Sequence, residues 1–145
     1  MADTHSSGFF RLDRRIQRWI WRQGWTQLRE LQEKAIVPVL DGRQDVLLSA
    51  ATASGKTEAA FMPALTGLLQ AMDTGHSPMP LILYVAPLKA LINDQYQRLE
   101  LLVEGTDIAL TPWHGDISGT YKKRFRKTPG GVLLITPESL EAMFS

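Results

Sequence analysis

The sequence predicts an α/β fold in which helices cover both faces of a parallel sheet, and three observations carry that prediction. Short apolar runs recur along the chain, at residues 45–50 (DVLLSA), 81–86 (LILYVA), 107–113 (DIALTPW) and 132–136 (VLLIT). Apart from the third, which Pro112 interrupts, they are continuous in hydrophobicity rather than alternating, as strands buried on both sides are. Stretches with apolar residues three and four apart separate them. Strands alternating with helices imply crossover connections and a doubly wound parallel sheet.

Taken in order, residues 10–21 place Leu12, Ile16, Trp19 and Ile20 on one helical face, and residues 31–40 form a second helix. The run 45–50 then leads into a helix at 56–72, where Pro63 is expected to bend or interrupt the backbone ladder. A turn at 75–80 (GHSPMP) precedes the strand at 81–86 and a helix at 88–102. The strand at 107–113 is followed by a helix at 118–127, a turn at 128–131 (TPGG) and the last strand at 132–136. Residues 1–40 thus read as an N-terminal helical segment and residues 45–145 as the α/β core. No repeat, low-complexity tract or linker divides them further.

With 44% hydrophobic and 21% charged residues, the chain has the apolar material for a core, which excludes an unfolded chain. The absence of cysteine excludes disulfides and thiolate metal sites. His5, His76 and His114 lack the close spacing of a zinc helix. No apolar run approaches the roughly 20 residues needed to cross a bilayer. The N-terminal stretch shows no basic leader followed by an apolar segment, so a cytoplasmic chain without a membrane partner is expected. Two basic clusters stand out, Arg11 to Arg22 and Lys122 to Lys127; such runs are most often solvated helix faces.

The chemistry is concentrated at Ala50-Ala51-Thr52-Ala53-Ser54-Gly55-Lys56-Thr57. A phosphate loop is a glycine, four residues, then Gly-Lys-Ser/Thr, between a strand and a helix start. Backbone N–H groups at the helix N-terminus face the phosphates, and the helix dipole favours their charge. Gly55 permits close backbone approach, Lys56 reaches the β- and γ-phosphates as the catalytic cation, and the Thr57 hydroxyl can bind Mg²⁺. Glu58 follows in the same predicted nucleotide site. Small residues fill seven of the eight positions 50–57, which a chance Gly-Lys-Thr would not require. Ala50 replaces the first glycine, and Ala53 stands at another position often glycine.

This loop resembles motif I of superfamily 2 helicases, in which alanine commonly takes the first position. Upstream, Gly24-Trp25-Thr26-Gln27-Leu28-Arg29-Glu30-Leu31-Gln32 resembles the adenine-recognition element of the DEAD-box and RecQ-like members. There Gln32 would read adenine with an amide donor and acceptor side by side, with Trp25 and Arg29 beside the base. Leu28 stands where the DEAD-box form has proline, which makes the segment closer to the RecQ-like form. Downstream, Ala86-Pro87-Leu88-Lys89-Ala90-Leu91 resembles motif Ia, and Thr136-Pro137-Glu138-Ser139-Leu140 resembles motif Ib. Those loops grip the sugar-phosphate backbone of one nucleic-acid strand, which assigns contacts to Pro87, Leu88, Lys89, Thr136, Pro137 and Glu138. Trp113-His114-Gly115-Asp116 resembles a further short loop motif. Within superfamily 2 the set is most similar to the large helicase-related, or Lhr-type, group.

The resemblance implies a RecA-like phosphate-loop fold, ATP and Mg²⁺ as cofactors, and DNA or RNA as partner. It also implies an Asp-Glu pair on the next strand, to hold the metal and orient water. The sequence stops before that Walker B strand, so it reads as the N-terminal portion of a first RecA-like domain, with little turnover of its own. Two other classes remain open: a stand-alone nucleotide-binding switch that never hydrolyses ATP, and a small-molecule kinase. The second prefers glycine at position 50 and does not need Gln32.

Overall fold

The computed structural model describes residues 8–51, 55–75 and 79–145. Positions 52–54 of the phosphate loop (Thr52, Ala53 and Ser54), together with His5 and His76, lie outside the described residues. The chain divides into two units, Met1–Asp73 and Thr74–Ser145, each with its own core.

In the first unit a 3₁₀ turn, Phe9–Arg11, precedes α1 (Arg14–Arg22), α2 (Glu30–Asp41) and α3 (Lys56–Thr74). The expected single helix from residue 10 is split because Asp13 caps α1. Its backbone is extended, and its Oδ1 accepts from Arg15 N at 2.8 Å. The Asp13 amide donates to Thr66 Oγ1 at 3.0 Å, and that hydroxyl donates to Met62 O at 2.9 Å. A fully buried Thr66 thereby ties the start of α1 to α3. Leu12, Ile16 and Ile20 are buried as the helical period predicts, with Ala35 and Ile36 of α2 and Met62, Leu65 and Leu69 of α3. Pro63 does not interrupt α3; its buried ring costs one backbone bond while the flanking side chains hold the helix in place.

The expected strand at residues 45–50 does not form. These residues carry no strand or helix conformation, and Leu47 is 91% exposed. A parallel strand has no hydrogen bonds of its own and exists only beside a neighbour. Among the described residues of this unit no strand is present to pair with it.

The second unit is a three-stranded parallel sheet with helices: β1 (Leu81–Val85), α4 (Lys89–Leu102), β2 (Leu110–Trp113), α5 (Gly119–Lys127), β3 (Gly131–Ile135) and α6 (Pro137–Met143). The strand order is β1-β3-β2, with Tyr84 opposite Leu134 and Pro112 opposite Leu134 on the other side. The central strand β3 is buried along its whole length, so both its faces are covered. Trp113, Leu133 and Ile135 form one cluster, closed by Phe125 of α5 and Leu140 of α6. Gly131 enters β3 at φ 78°, and a side chain there would strike the carbonyl of Ala109, which accepts the ladder bond from Val132 N.

Pro112 is accommodated because β2 is an edge. The carbonyls of Ala109 and Trp113 bond β3, so by alternation residues 110 and 112 face outward, where a missing N–H costs nothing. Edge strand β1 departs from the expectation of burial on both faces. Leu81, Leu83 and Val85 are each nearly half exposed, while Ile82 and Tyr84 are partly covered. No helix of the described residues is long and apolar enough to cross a membrane.

Candidate nucleotide and nucleic-acid sites

The first site lies in the Met1–Asp73 unit, where the adenine-type element meets the end of the phosphate loop. Gln32, at 1% exposure, occupies the third position of α2, and its Oε1 accepts from the Arg29 amide at 3.0 Å. That bond is the reciprocal half of a capping box. It leaves the second lone pair of Oε1 and the Nε2 protons available for other partners. The amide end abuts the loop: a Cβ built on Gly55 would lie 2.5 Å from Gln32 Nε2 and 3.5 Å from Arg29 Cδ. Gly55 itself sits at φ 78°, the left-handed region that glycine alone enters without strain. Two segments apart in sequence are thus in contact through a position where only hydrogen fits.

Lys56 opens α3, and its ammonium donates to the Ala50 carbonyl at 2.8 Å, joining the two ends of the loop. Ala51 is exposed, while Thr57 and Glu58 are partly covered in the first helical turn. Helix-start amides, a lysine ammonium and a glycine at positive φ are groups that suit a polyphosphate. For Mg²⁺ the chain offers the Thr57 hydroxyl. Among the described residues no three His, Cys, Asp or Glu side chains converge, so the remaining ligands would come from nucleotide oxygens and water. Trp25 is half buried and packs edge-on against Trp19, with ring centroids 5.2 Å apart.

The second site lies in the Thr74–Ser145 unit. A groove of about 630 Å³ is lined by Pro87 and Leu88 from the β1–α4 loop, Lys89 at the start of α4, Gly115 from the loop after β2, Thr136 after β3, and Glu138 and Ser139 in the first turn of α6. All three loops leave the carboxyl ends of parallel strands, where ligand crevices form in open α/β sheets. Of the residues predicted from sequence, only Pro137 is absent from the lining. Thr136 also caps α6, its Oγ1 accepting from Ser139 N at 3.4 Å.

Sequence reasoning missed what holds the groove's cation. Lys89 Nζ meets Asp116 Oδ2 at 2.9 Å, and that bond holds the Asp116 carboxyl below its usual range. Behind it, His114 is 4% exposed; its Nδ1 accepts from Asp116 N at 3.2 Å, and its Nε2 lies 3.1 Å from Asn93 Oδ1. Burial pushes the imidazole below its ordinary pKa, which keeps Nδ1 an acceptor. The WHGD segment was legible as a motif. Its pairing to Lys89 depends on β2 and β1 flanking the same central strand, which spacing alone does not reveal.

The chain is 31% identical over 140 residues to the ATP-dependent helicase Lhr-Core of Methanothermobacter thermautotrophicus, covering 88% of this chain and 16% of that protein. Its fold superposes on the DUF1998 helicase MrfA bound to DNA with a TM-score of 0.75 at 26% identity, covering 90% of this chain and 18% of the other. With the DEAD-box helicase Mss116 bound to ssRNA the TM-score is 0.80 at 22% identity, a likeness of fold, over 91% of this chain and 27% of that one. The chain therefore spans about a sixth of the length of the curated helicase it resembles. A DEAD/DEAH box helicase model matches residues 29–145, most of the chain, so the protein belongs to the DEAD/DEAH box helicase family.

Proposed function

We propose that the chain is the N-terminal portion of the first RecA-like domain of an ATP-dependent helicase or translocase that moves on a nucleic-acid strand. The observation that carries this reading is the single groove bounded by three loops, with Lys89 at its side and Thr136 in its wall. A cation, a hydroxyl and backbone amides suit phosphate oxygens without reading bases, as a motor that passes any sequence requires. The nucleotide would lie at Gly55–Thr57. Lys56 would exchange the Ala50 carbonyl for a phosphate oxygen, and Gln32 would read the base edge. Bound Mg²⁺ would supply charge neutralisation at the phosphates, with Thr57 as its protein ligand. Trp25 and Arg29 flank the base in this reading, and Pro87, Leu88, Pro137 and Glu138 shape the strand's path.

The test is ATP hydrolysis by the full-length protein with and without a single strand. Lys56→Ala should abolish turnover yet keep strand binding, while Lys89→Ala should weaken strand binding. Normal turnover in Lys56→Ala would refute the nucleotide assignment. Strand affinity unmoved by Lys89→Ala would refute the groove.

A further inference from the structure

Helix α5, GTYKKRFRK, carries five basic residues and no acidic one. The ion pairs among the described residues involve none of the five, although isolated surface helices commonly offset such charge with carboxylates one turn away. Favourable placement against the helix dipole accounts for Arg124, Arg126 and Lys127 in the last turn, but not for Lys122 and Lys123. Arg124 donates to the Leu110 carbonyl at 3.2 Å, and two further side chains are held on one ring. Lys122 Nζ lies 5.6 Å and the Arg126 guanidinium 5.4 Å from the Trp113 ring centroid. Trp113 is almost fully buried, so the cations are fixed on an immobile platform.

That platform leads to the groove. Trp113 ends β2, and the chain passes directly through His114 to Gly115, whose added Cβ would lie 3.8 Å from Lys89 Nζ. Lys122 sits over Trp113, two residues before the Gly115 that lines the groove, so the first basic residue of α5 lies on the β2 side of that groove.

We propose that α5 is a second phosphate-contacting surface, continuing the path of a nucleic-acid strand past Lys89 onto Lys122, Lys123 and Lys127. The inference rests on the groove being a strand site. A nine-residue helix is about 13 Å long, room for several phosphates of an extended strand. None of these three lysines forms an ion pair among the described residues, so no carboxylate has to be displaced before they meet a phosphate. Contacts of this kind release counterions, so they appear as salt dependence rather than sequence preference.

The experiment is titration of a fluorescent single-stranded oligonucleotide with the full-length protein across a salt series. Lys123→Gln with Lys127→Gln should weaken binding severalfold at low salt and make the slope of log K against log salt shallower by about 1.4, roughly 0.7 per lost contact. Lys123→Arg with Lys127→Arg should restore both. Lys34→Gln on α2, whose lysine is already paired with Glu30, controls for net charge and should leave the slope unchanged. If the glutamine pair keeps wild-type affinity and slope while Lys89→Ala weakens binding, the α5 surface is refuted and the groove stands. Failure of the arginine pair to restore the slope also refutes it. Absence of strand binding by the wild-type protein overturns both readings.

Discussion

Replacing Gly55 by alanine tests the contact between the adenine-type element and the phosphate loop. Two costs should appear. Holding an L-residue at φ 78° costs about 1–2 kcal/mol. The new methyl would also lie 2.5 Å from Gln32 Nε2, so the buried amide must retreat by about an ångström to reach ordinary van der Waals distance. Retreat breaks the 3.0 Å bond from the Arg29 amide, worth about 1 kcal/mol. Gly55→Ala should therefore destabilise by about 2–3 kcal/mol, read from urea unfolding. In a Gln32→Ala background the same substitution meets no amide, so only the backbone strain of about 1–2 kcal/mol should remain. The double-mutant cycle then shows a coupling of about 1 kcal/mol. Costs that add to within about 0.5 kcal/mol would refute the contact.

Loss of the Asp13 cap should be felt locally: Asp13→Ala should cost about 1 kcal/mol in urea unfolding, and Asp13→Ser should recover most of it. Lowering pH should destabilise the protein through His114. Its folded pKa lies below the ordinary 6.5, so the unfolded chain takes up a proton that the native imidazole resists. Stability is full above about pH 6.5 and declines as pH falls toward the folded value; His114→Asn should remove this limb from the pH dependence of the urea midpoint. Depressed carboxyls such as Asp13 and Asp116 lose their contribution only as pH falls below their ordinary 3.8, so the two ranges separate. In the full-length protein Gln32→Ala should level the preference for ATP over GTP, checked by competition binding; a retained preference would take base reading away from Gln32.

The strands β1 and β3 and the helices were legible because their patterns are dense and their ends are marked. Ser118 and Thr136, for example, cap α5 and α6 through their own hydroxyls. Boundaries set by a single side chain were harder to see: Asp13 cuts the first helix short by bonding forward to Arg15. Residues 45–50 failed for a different reason, since hydrophobicity marks strand potential while pairing supplies the hydrogen bonds. The groove was legible loop by loop, through Leu88, Lys89 and Thr136. Their convergence, and the grip of Asp116 on Lys89, follow from strand order, which no local window contains. Trp25 and Trp113 were legible through the motifs that contain them; that Trp25 meets Trp19, and Trp113 carries Lys122 and Arg126, required coordinates.

The two margins of the sheet are chemically unequal. On the β2 side Pro112 withholds a donor where an incoming strand would need one, so lateral addition there is blocked. On the β1 side the outward amides and carbonyls belong to Leu81, Leu83 and Val85, all able to pair and all carrying exposed apolar side chains. Widening of this sheet is consequently one-directional. Whatever extended peptide reaches that margin first, from the same polypeptide or from a neighbouring molecule, meets a ready template, which makes protein concentration during refolding the variable that decides between completion and aggregation.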